Sequence, residues 1–308
     1  MVTRSRLVNV IVTGAAGFIG FHVARYLEDC GYHVLRTDIR VPRDGGALWR
    51  KADLTSFDEM VALTDGVEAV CHLGGIGDVY LADRNPQLAM HVNGCGTLNL
   101  LEACRLNRVR RFVYASTWEV YGEPRYEPID ESHPCAPSNP YSISKLAGDL
   151  YTQRYGPSDE LRRVVLRLGT AYGPRMRDNA VMVAFILRAL AGRPLEIHGS
   201  GTQFRQFTHV RDISRAFGLA LELDNSEEVF NVTSPERIAI KDLAELIAKR
   251  IPGDVVHREE RSGEPVSAFI GSAKAEQRLG WVPQVKFRQG LDELVEEFLL
   301  QHGRTRVD

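Results

Sequence analysis

Short runs of β-branched and other apolar residues alternate with longer segments of helical period through the first two-thirds of the chain. This alternation is typical of a parallel sheet covered by helices on both faces, which is a doubly wound α/β fold. The predicted strands are Val8 to Thr13, His33 to Thr37, Ala69 to Leu73, Arg111 to Ala115 and Val164 to Leu168. The predicted helices, in which apolar residues recur three and four positions apart, are Gly17 to Cys30, Ser56 to Leu63, Pro86 to Leu106 and Tyr141 to Tyr155.

The alternation becomes irregular after residue 172, where a Gly-rich stretch at residues 198–201 interrupts the helical pattern. Three further helices are predicted near Val181 to Ala191, Ile240 to Arg250 and Gly290 to Leu300. We expect this part to form a smaller C-terminal lobe over the carboxyl edge of the sheet, because open α/β sheets bind their ligands at that edge.

The composition is that of an ordinary globular protein: 308 residues, 44% apolar and 25% charged side chains, and a formal net charge of −2. Without a basic cluster, nothing favours nucleic acid or an anionic membrane as a partner. The five cysteines are odd in number and lack C-x-x-C spacing, so neither a disulfide framework nor a metal site is expected. The short apolar run before Gly14 predicts a strand rather than a signal or membrane span, and we expect a cytoplasmic protein.

A glycine motif follows the first predicted strand and opens the first helix, with the sequence Thr13-Gly14-Ala-Ala-Gly17-Phe18-Ile19-Gly20. Glycines allow a tight turn and a close approach of the backbone to a pyrophosphate, whose charge the helix N-terminus favours. Asp38 ends the second strand, where a carboxylate accepts hydrogen bonds from ribose hydroxyls and repels a 2′-phosphate. The motif therefore predicts NAD rather than NADP, although Arg36 and Arg40 flank this carboxylate.

Two later segments also end predicted strands at the ligand-binding edge. Asp53 and Leu54 are expected to contact the adenine, or Asp53 instead caps the next helix. Leu73 ends the strand beginning at Ala69, and Gly74 and Gly75 follow it. The small residues of this segment would let the middle of the coenzyme pass close to the backbone. His72, in the same strand, is predicted to be a core histidine with its hydrogen bonds satisfied.

The catalytic signal is the pair Tyr141 and Lys145, which are four residues apart and therefore share one face of a helix. A phenol has a pKa near 10, but a nearby lysine cation and the positive nicotinamide both favour the phenolate. Tyr141 is then able to take a proton from a hydroxyl group. Thr117, at the end of another predicted strand, supplies a second hydroxyl.

Together these motifs resemble the extended short-chain dehydrogenase/reductase family, and within it the NAD-dependent epimerase/dehydratase group that acts on nucleotide sugars. The resemblance covers nearly the whole chain. Further matching segments are Asn93 with Gly96-Thr-Leu-Asn-Leu-Leu-Glu-Ala103, Val120-Tyr-Gly122, Tyr172-Gly-Pro-Arg175, Gly199-Ser-Gly-Thr-Gln-Phe-Arg205, Val210-Arg-Asp212, Arg261-Ser-Gly-Glu264 and Leu279-Gly-Trp-Val-Pro283.

The resemblance implies roles for individual residues. Thr117 would hydrogen-bond the reacting sugar hydroxyl, Tyr141 would be the base, and Lys145 would hold the nicotinamide ribose and lower the pKa of Tyr141. Asn93 and Leu168 are further expected coenzyme contacts. Expected substrate contacts are Thr170, Arg175, Arg205 and Arg261, the last two binding the diphosphate. The family usually has Phe-Asn at residues 169–170, and Thr170 replaces only one hydrogen bond of that amide.

The resemblance also implies an organisation into two parts and an oligomer. Residues 1–172 are expected to form an NAD-binding Rossmann domain, to which a segment near 208–235 returns. Residues 173–207 and 236–308 are expected to form the substrate-binding lobe. A homodimer is expected through helices such as Pro86 to Leu106 and Tyr141 to Tyr155.

The expected activity is that of a nucleotide-sugar 4-epimerase, with a UDP-hexose or UDP-uronate oxidised transiently to a 4-keto sugar. Glu119 keeps a second reading open, because it resembles a glutamate of 4,6-dehydratases and uronate decarboxylases; a decarboxylase, dehydratase or 4-ketoreductase would use it. Trp118, however, replaces the acidic Asp of thymidine-diphosphate-hexose dehydratases. A third reading is a non-catalytic dinucleotide-sensing regulator, which would be expected to lack Tyr141 or Lys145.

Overall fold

A seven-stranded parallel sheet forms the centre of the computed structural model, which describes residues 9–42, 48–156, 161–178, 180–224, 227–259 and 267–305. In the order β11-β6-β5-β4-β1-β2-β3, all neighbouring strands run parallel. The strands in chain order are β1 Asn9–Thr13, β2 His33–Asp38, β3 Trp49–Lys51, β4 Ala69–His72, β5 Arg111–Thr117, β6 Arg162–Leu168, β7 Thr170–Tyr172, β8 Leu195–His198, β9 Phe204–Arg205, β10 Phe207–His209, β11 Glu228–Val232, β12 Ile238–Ala239 and β13 Val255–Arg258.

Helices cover both faces of this sheet and build the C-terminal part. They are α1 Phe18–Asp29, α2 Phe57–Thr64, α3 Val79–Arg84, α4 Pro86–Met90, α5 Gly96–Leu106, α6 Pro140–Arg154, α7 Val181–Leu190, α8 Val210–Glu222, α9 Ile240–Arg250 and α10 Phe287–Thr305. A π-helical turn at His91–Cys95 joins α4 to α5, and a 3-10 turn at Trp118–Tyr121 follows β5. The doubly wound α/β fold is thereby confirmed.

The sheet order reverses between β1 and β4, because the chain continues outward to β2 on one side and to β5 on the other. Ligands of open α/β sheets bind beside the carboxyl ends of the strands at such a reversal. The glycine motif after β1, the loop after β4 and the residues ending β5 all lie at this edge. The order of the strands thus brings together three segments that are distant in sequence.

The three largest hydrophobic clusters of the described residues cover the two faces of the sheet and build the C-terminal part. One sheet face packs against α1 and α8, with Leu27 and Phe217 fully buried, and the other packs against α2 and α5, with Met60 and Leu100 fully or almost fully buried. A separate cluster joins α7, α9 and α10 around β8 and includes Ile186. None of the helices in the described ranges has the length and apolar character that crossing a bilayer requires.

Candidate active site

The glycine motif forms a tight turn against the loop that follows β4. Gly14 has φ +67°, and a Cβ atom at this position would lie 2.8 Å from the Gly74 backbone. A Cβ at Gly20 would overlap the carbonyl oxygen of Gly14, so α1 starts directly on the turn. Gly17 is the N-cap of α1 without a side-chain cap, and Phe18 and Ile19 open the helix. The free N–H groups of this terminus suit the pyrophosphate of a dinucleotide.

Asp38 at the end of β2 and Arg36 within it are the acidic and the basic candidate for contact with the adenosine ribose, and the structure gives them different partners. The carboxylate of Asp38 accepts hydrogen bonds from Ala16 N at 3.2 Å and from Arg40 N at 3.1 Å. Arg36 instead makes a double hydrogen bond to Glu28 at 2.9 and 2.7 Å, and its guanidinium lies over the Phe21 ring. Because Arg36 is engaged in this way, Asp38 remains the group suited to a ribose without a 2′-phosphate, which agrees with NAD as the coenzyme.

The segment after β3 turns sharply before α2. The Asp53 carboxylate accepts hydrogen bonds from the backbone N and the hydroxyl of Thr55, at 2.9 and 2.8 Å, and these bonds lower its pKa. Ser56, rather than Asp53, is the N-cap of α2. Leu54 packs beside Gly74, since a Cβ on that glycine would lie 3.0 Å from the Leu54 side chain. Contact of Asp53 and Leu54 with the adenine stays a prediction.

Asn93 holds the far end of the loop that carries Leu73, Gly74 and Gly75. Its side-chain oxygen accepts a hydrogen bond from Ile76 N at 2.8 Å, and its amide nitrogen donates to Ile76 O at 3.0 Å. His72, at the end of β4, is fully buried between the hydroxyls of Thr13 and Thr97. The prediction of a satisfied core histidine is confirmed.

A capping box fixes the start of the helix that carries the predicted base. The Asn139 side chain accepts a hydrogen bond from Ser142 N at 2.8 Å, and the Ser142 hydroxyl accepts one from Asn139 N at 3.3 Å. Tyr141 therefore lies in the first turn of α6. Its phenol lies near Thr117, the last residue of β5, and the Thr117 hydroxyl acts to lower the pKa of that phenol.

Lys145 lies one helical turn after Tyr141 on α6 and is buried, with its ammonium 4.2 Å from the centre of the Tyr114 ring. Leu168, at the end of β6, is in register with Thr117 and so flanks the same edge. The structure thus brings together Thr117, Tyr141, Lys145 and Leu168 beside the glycine turn.

Burial dominates the electrostatics of these groups. Burial raises the pKa of Tyr141, and the nearby Glu119 carboxylate raises it further, whereas the Thr117 hydroxyl and the Arg177 charge lower it. Burial also lowers the pKa of Lys145 to about 7, against the opposing charge of Asp149. The Tyr141 phenol is therefore neutral in the coenzyme-free protein, and its ionisation depends on added positive charge such as that of oxidised NAD.

Near Tyr141, Glu119 is half-buried and accepts a hydrogen bond from the Asn139 side chain at 3.2 Å. Burial raises the pKa of its carboxyl group, while this hydrogen bond and the charge of Arg205 lower it. Trp118, Thr170 and Arg205 line one cavity nearby. The remaining lining residues are Gly169, Phe204, Gln206, Thr233, Ala268 and Ile270.

Of the other predicted substrate arginines, Arg175 is not among the described residues that line this cavity. The Arg175 guanidinium lies over the Phe21 ring of α1, 4.1 Å from its centre. Arg261 lies outside the described residues. No group of three or more metal-ligating side chains occurs in the parts of the chain that the structure describes.

Sequence reasoning missed two charged residues near Tyr141 and Lys145. Arg177 donates a hydrogen bond to Gly77 O at 2.7 Å and so joins the segment after β7 to the loop after β4. Asp149 is fully buried beneath Lys145 and forms an ion pair with Arg167 at 3.0 Å. The spacing of four residues between Lys145 and Asp149 was a signal for the second, whereas no local pattern indicated the first.

A dinucleotide-binding turn, a Tyr-x-x-x-Lys pair and a hydroxyl at the neighbouring strand end define an enzyme of the extended short-chain dehydrogenase/reductase type. The profile of the NAD-dependent epimerase/dehydratase family matches residues 10–233, and the chain belongs to this family. It is accordingly an NAD-dependent enzyme, and the reading as a non-catalytic regulator is set aside.

Several named proteins and solved structures are similar to this chain over almost their full length. A protein of Methanocaldococcus jannaschii named "Putative UDP-glucose 4-epimerase" is 31% identical, over 96% of this chain and 100% of that protein. The UDP-glucose 4-epimerase of Thermotoga maritima, solved with UDP-glucose, has a TM-score of 0.88 at 29% identity, covering 95% of this chain and 99% of its own. The dTDP-glucose 4,6-dehydratase of Streptomyces venezuelae, solved with NAD, has a TM-score of 0.86 at 26% identity, covering 96% and 98%.

Proposed function

We propose that this enzyme is a nucleotide-sugar 4-epimerase acting on a UDP-hexose or UDP-uronate through a transient 4-keto sugar. The observation that carries the proposal is the grouping of Tyr141 with Thr117, whose hydroxyl lowers the pKa of Tyr141, and with Lys145 one helical turn away, at the edge where the coenzyme turn lies. Similarity to two proteins named as UDP-glucose 4-epimerases supports the choice of reaction.

In this proposal the C4 hydroxyl of the sugar lies between Thr117 and Tyr141. Tyr141 Oη takes the hydroxyl proton as the C4–H bond breaks, and returns it when the ketone is reduced again. NAD, when bound, supplies the acceptor and donor for the C4 hydrogen and its electron pair. Lys145 favours the phenolate by its charge. If the keto sugar presents its other face before reduction, C4 is inverted with no net change of redox state.

A substrate panel tests the proposed reaction. The purified protein is incubated with catalytic NAD and UDP-glucose, UDP-glucuronate, UDP-N-acetylglucosamine or the corresponding dTDP-, GDP- and CDP-sugars, and the products are read by mass spectrometry and NMR. We expect a product of unchanged mass with inverted C4. Loss of carbon dioxide or water would overturn the proposal.

A second candidate reaction, decarboxylation, dehydration or 4-ketoreduction, is favoured by the Glu119 carboxyl group. Burial raises its pKa, and it lies close enough to Tyr141 to influence the phenol electrostatically. A carboxyl group in this state is suited to proton transfer at a second sugar carbon. Trp118 argues against a dehydratase of the dTDP-hexose kind, since an indole cannot supply the proton of the replaced Asp.

Replacing Glu119 by Gln separates the two candidates. The amide keeps the shape and the hydrogen-bonding capacity toward Asn139 but transfers no proton. We expect 4-epimerisation to stay within about threefold of the wild-type rate, because general acid–base catalysis, worth about 10²- to 10⁴-fold, resides in Tyr141. The measurement is the initial rate of C4 inversion. A loss of about 100-fold would assign the chemistry to Glu119 instead.

We also infer a homodimer through α4, α5 and α6. Each of these helices exposes large apolar side chains, and α4 and α5 both pack against α6. Exposed apolar surface of this kind is typical of protein interfaces. The residues are Leu88, Met90, Leu106, Ile143, Leu150 and Tyr151.

The five cysteines are free thiols, which supports our placement of the protein in a reducing cytoplasm.

Leu150→Asp is expected to convert the dimer into a monomer at micromolar concentration. A carboxylate on this 49%-exposed position of α6 would be buried without a partner in the proposed interface. Sedimentation velocity measures the change. Leu300→Asp, on the 66%-exposed position of α10, is the matched control and should leave the wild-type mass unchanged. An unchanged mass for Leu150→Asp, or a monomeric wild-type protein, would contradict the interface.

A further inference from the structure

A continuous chain of hydrogen bonds runs beneath the coenzyme cleft from the glycine turn to the catalytic helix. All of its side chains are at most 2% exposed: Thr13, His72, Thr97, Asn93 and Ser144. The links are Thr13 Oγ1 to His72 Nδ1 at 2.8 Å, His72 Nε2 to Thr97 Oγ1 at 3.0 Å, Thr97 Oγ1 to Asn93 O at 2.6 Å, Asn93 Nδ2 to Ser144 Oγ at 2.9 Å and Ser144 Oγ to Tyr141 O at 2.7 Å.

The donors at one end fix the direction of every proton around the histidine. The Thr13 hydroxyl oxygen accepts hydrogen bonds from Leu73 N at 3.0 Å and Gly74 N at 2.9 Å. Both of its lone pairs are thereby used, so its proton goes to His72 Nδ1. His72 Nε2 then carries the ring hydrogen and donates to Thr97, whose own hydroxyl donates to the Asn93 carbonyl. Only this neutral tautomer satisfies all the groups.

The imidazole ring of His72 stays neutral over the pH range in which the enzyme works. Burial lowers the pKa of His72 to about 3, and the charge of Lys145 acts in the same direction. A protonated ring would place a second donor against the Thr13 hydroxyl and force it to release a backbone N–H. His72 is therefore a fixed link rather than a group that exchanges protons.

This chain of hydrogen bonds connects the parts of the site whose relative positions must stay fixed: the glycine turn, the loop 73–76 and the start of α6. Thr13 holds the start of the loop 73–76 and Asn93 holds its end, so His72 and Thr97 connect the two anchors of this loop. Asn93 belongs to the π-helical turn at His91–Cys95, and π-helical turns are frequent at functional sites. Ser144 continues the chain to the backbone of the base itself. Small misplacements of such groups lower rates strongly.

We propose that His72 is a positioning residue, which as a single neutral tautomer couples the glycine turn and the loop 73–76 to the helix that carries Tyr141. Binding of NAD and the position of the base then depend on the same buried chain. The turnover part of this inference rests on the proposed function, whereas NAD affinity and the tautomer do not.

Two variants of Thr97 and a matched control test the coupling. Thr97→Val removes the hydroxyl at nearly constant shape and leaves His72 Nε2–H without an acceptor; Thr97→Ser keeps the hydroxyl. Thr64→Val is the control, because Thr64 is equally buried, donates to Met60 O four residues back at 2.9 Å and accepts from Asn107 at 2.8 Å. Thr64 lies on α2, outside the chain of hydrogen bonds.

Thr97→Val should raise the dissociation constant for NAD about tenfold and lower turnover about tenfold, because it leaves one buried donor unsatisfied. Thr97→Ser keeps the acceptor, so both quantities should stay within about twofold of the wild type. Thr64→Val should lose similar thermal stability with unchanged NAD affinity and turnover. If Thr97→Val also loses only stability, the positioning role is refuted. If the substrate panel described above reveals no substrate, the NAD affinities of the variants still test the positioning role.

The tautomer is tested on the wild-type protein, so it does not depend on the folding of any variant. In ¹⁵N NMR of histidine-labelled protein, His72 should show an unprotonated Nδ1 and a protonated Nε2 that does not titrate between about pH 5 and 8, the range in which free histidines change charge. The opposite tautomer, or titration within this range, would overturn the inference.

Discussion

Tyr141→Phe will lower turnover by about 10³-fold or more while NAD remains bound, because it removes a general base whose contribution is at the upper end of the usual 10²- to 10⁴-fold range. Phenylalanine fills the same volume, and the capping box that starts α6 does not involve the phenol. The loss should therefore appear in the chemical step. It is measured as the initial rate of product formation, with NAD affinity determined in parallel.

Tyr151→Phe serves as the control for this change. Tyr151 lies on the same helix, is 43% exposed and takes no part in the candidate site, so its hydroxyl should be dispensable for turnover. A Tyr141→Phe protein with the wild-type rate would remove the proposed base. A protein that no longer binds NAD would instead show that the hydroxyl has a structural role.

The central fold could be predicted because its signals are local. The five strands expected from apolar runs are all in the sheet, and each helix expected in the first domain is present. The three-residue strand β3 was expected only as a short strand-like piece before Asp53, because it is too short for a periodicity. The edge strand β11 was not predicted as a strand, although the segment near 208–235 that contains it was expected to return to this domain. The π-helical turn at His91–Cys95 was also invisible, because one inserted residue hardly disturbs the apolar pattern of the helix around it.

The candidate site was predictable to the extent that it depends on spacing. Tyr141 and Lys145 share a helix face by their separation, and Thr117 ends a strand that the pattern placed beside them. The charge balance was not predictable, because it depends on burial: the expected lysine assistance is opposed by desolvation, which raises the pKa of Tyr141 and lowers that of Lys145. The sequence also does not indicate which of Arg175 and Arg177 lies near Tyr141. In the folded chain Arg175 packs on a phenylalanine ring, and the charge of Arg177 acts on Tyr141.

The ion pair between Asp149 and Arg167 is the second feature whose removal should have a large effect. Asp149 is fully buried and Arg167 is 4% exposed. The carboxylate also accepts a hydrogen bond from Ser116 at 2.7 Å, and the Arg167 guanidinium donates to the Tyr121 hydroxyl at 3.0 Å. A charge in this position is tolerated only while its partner is present, because water cannot replace that partner.

Asp149→Leu will accordingly destabilise the protein by about 3–5 kcal/mol, the usual cost of leaving one charge of a buried pair uncompensated. The double variant Asp149→Leu/Arg167→Met should regain most of this loss, since it removes both charges. Denaturant unfolding of the wild-type, single and double variants measures both steps. A single variant as stable as the wild type would show that solvent reaches Arg167 in solution.

The double variant also reports on catalysis, because Asp149 raises the pKa of Lys145 against the effect of burial. Without this carboxylate the pKa of Lys145 falls below its value of about 7 in the free protein, so the ammonium loses its proton at lower pH. The alkaline limb of the pH–rate profile should therefore move to lower pH in the refolded double variant, while the rate at acidic pH is retained. An unmoved alkaline limb would mean that the protonation of Lys145 is governed by the coenzyme rather than by Asp149.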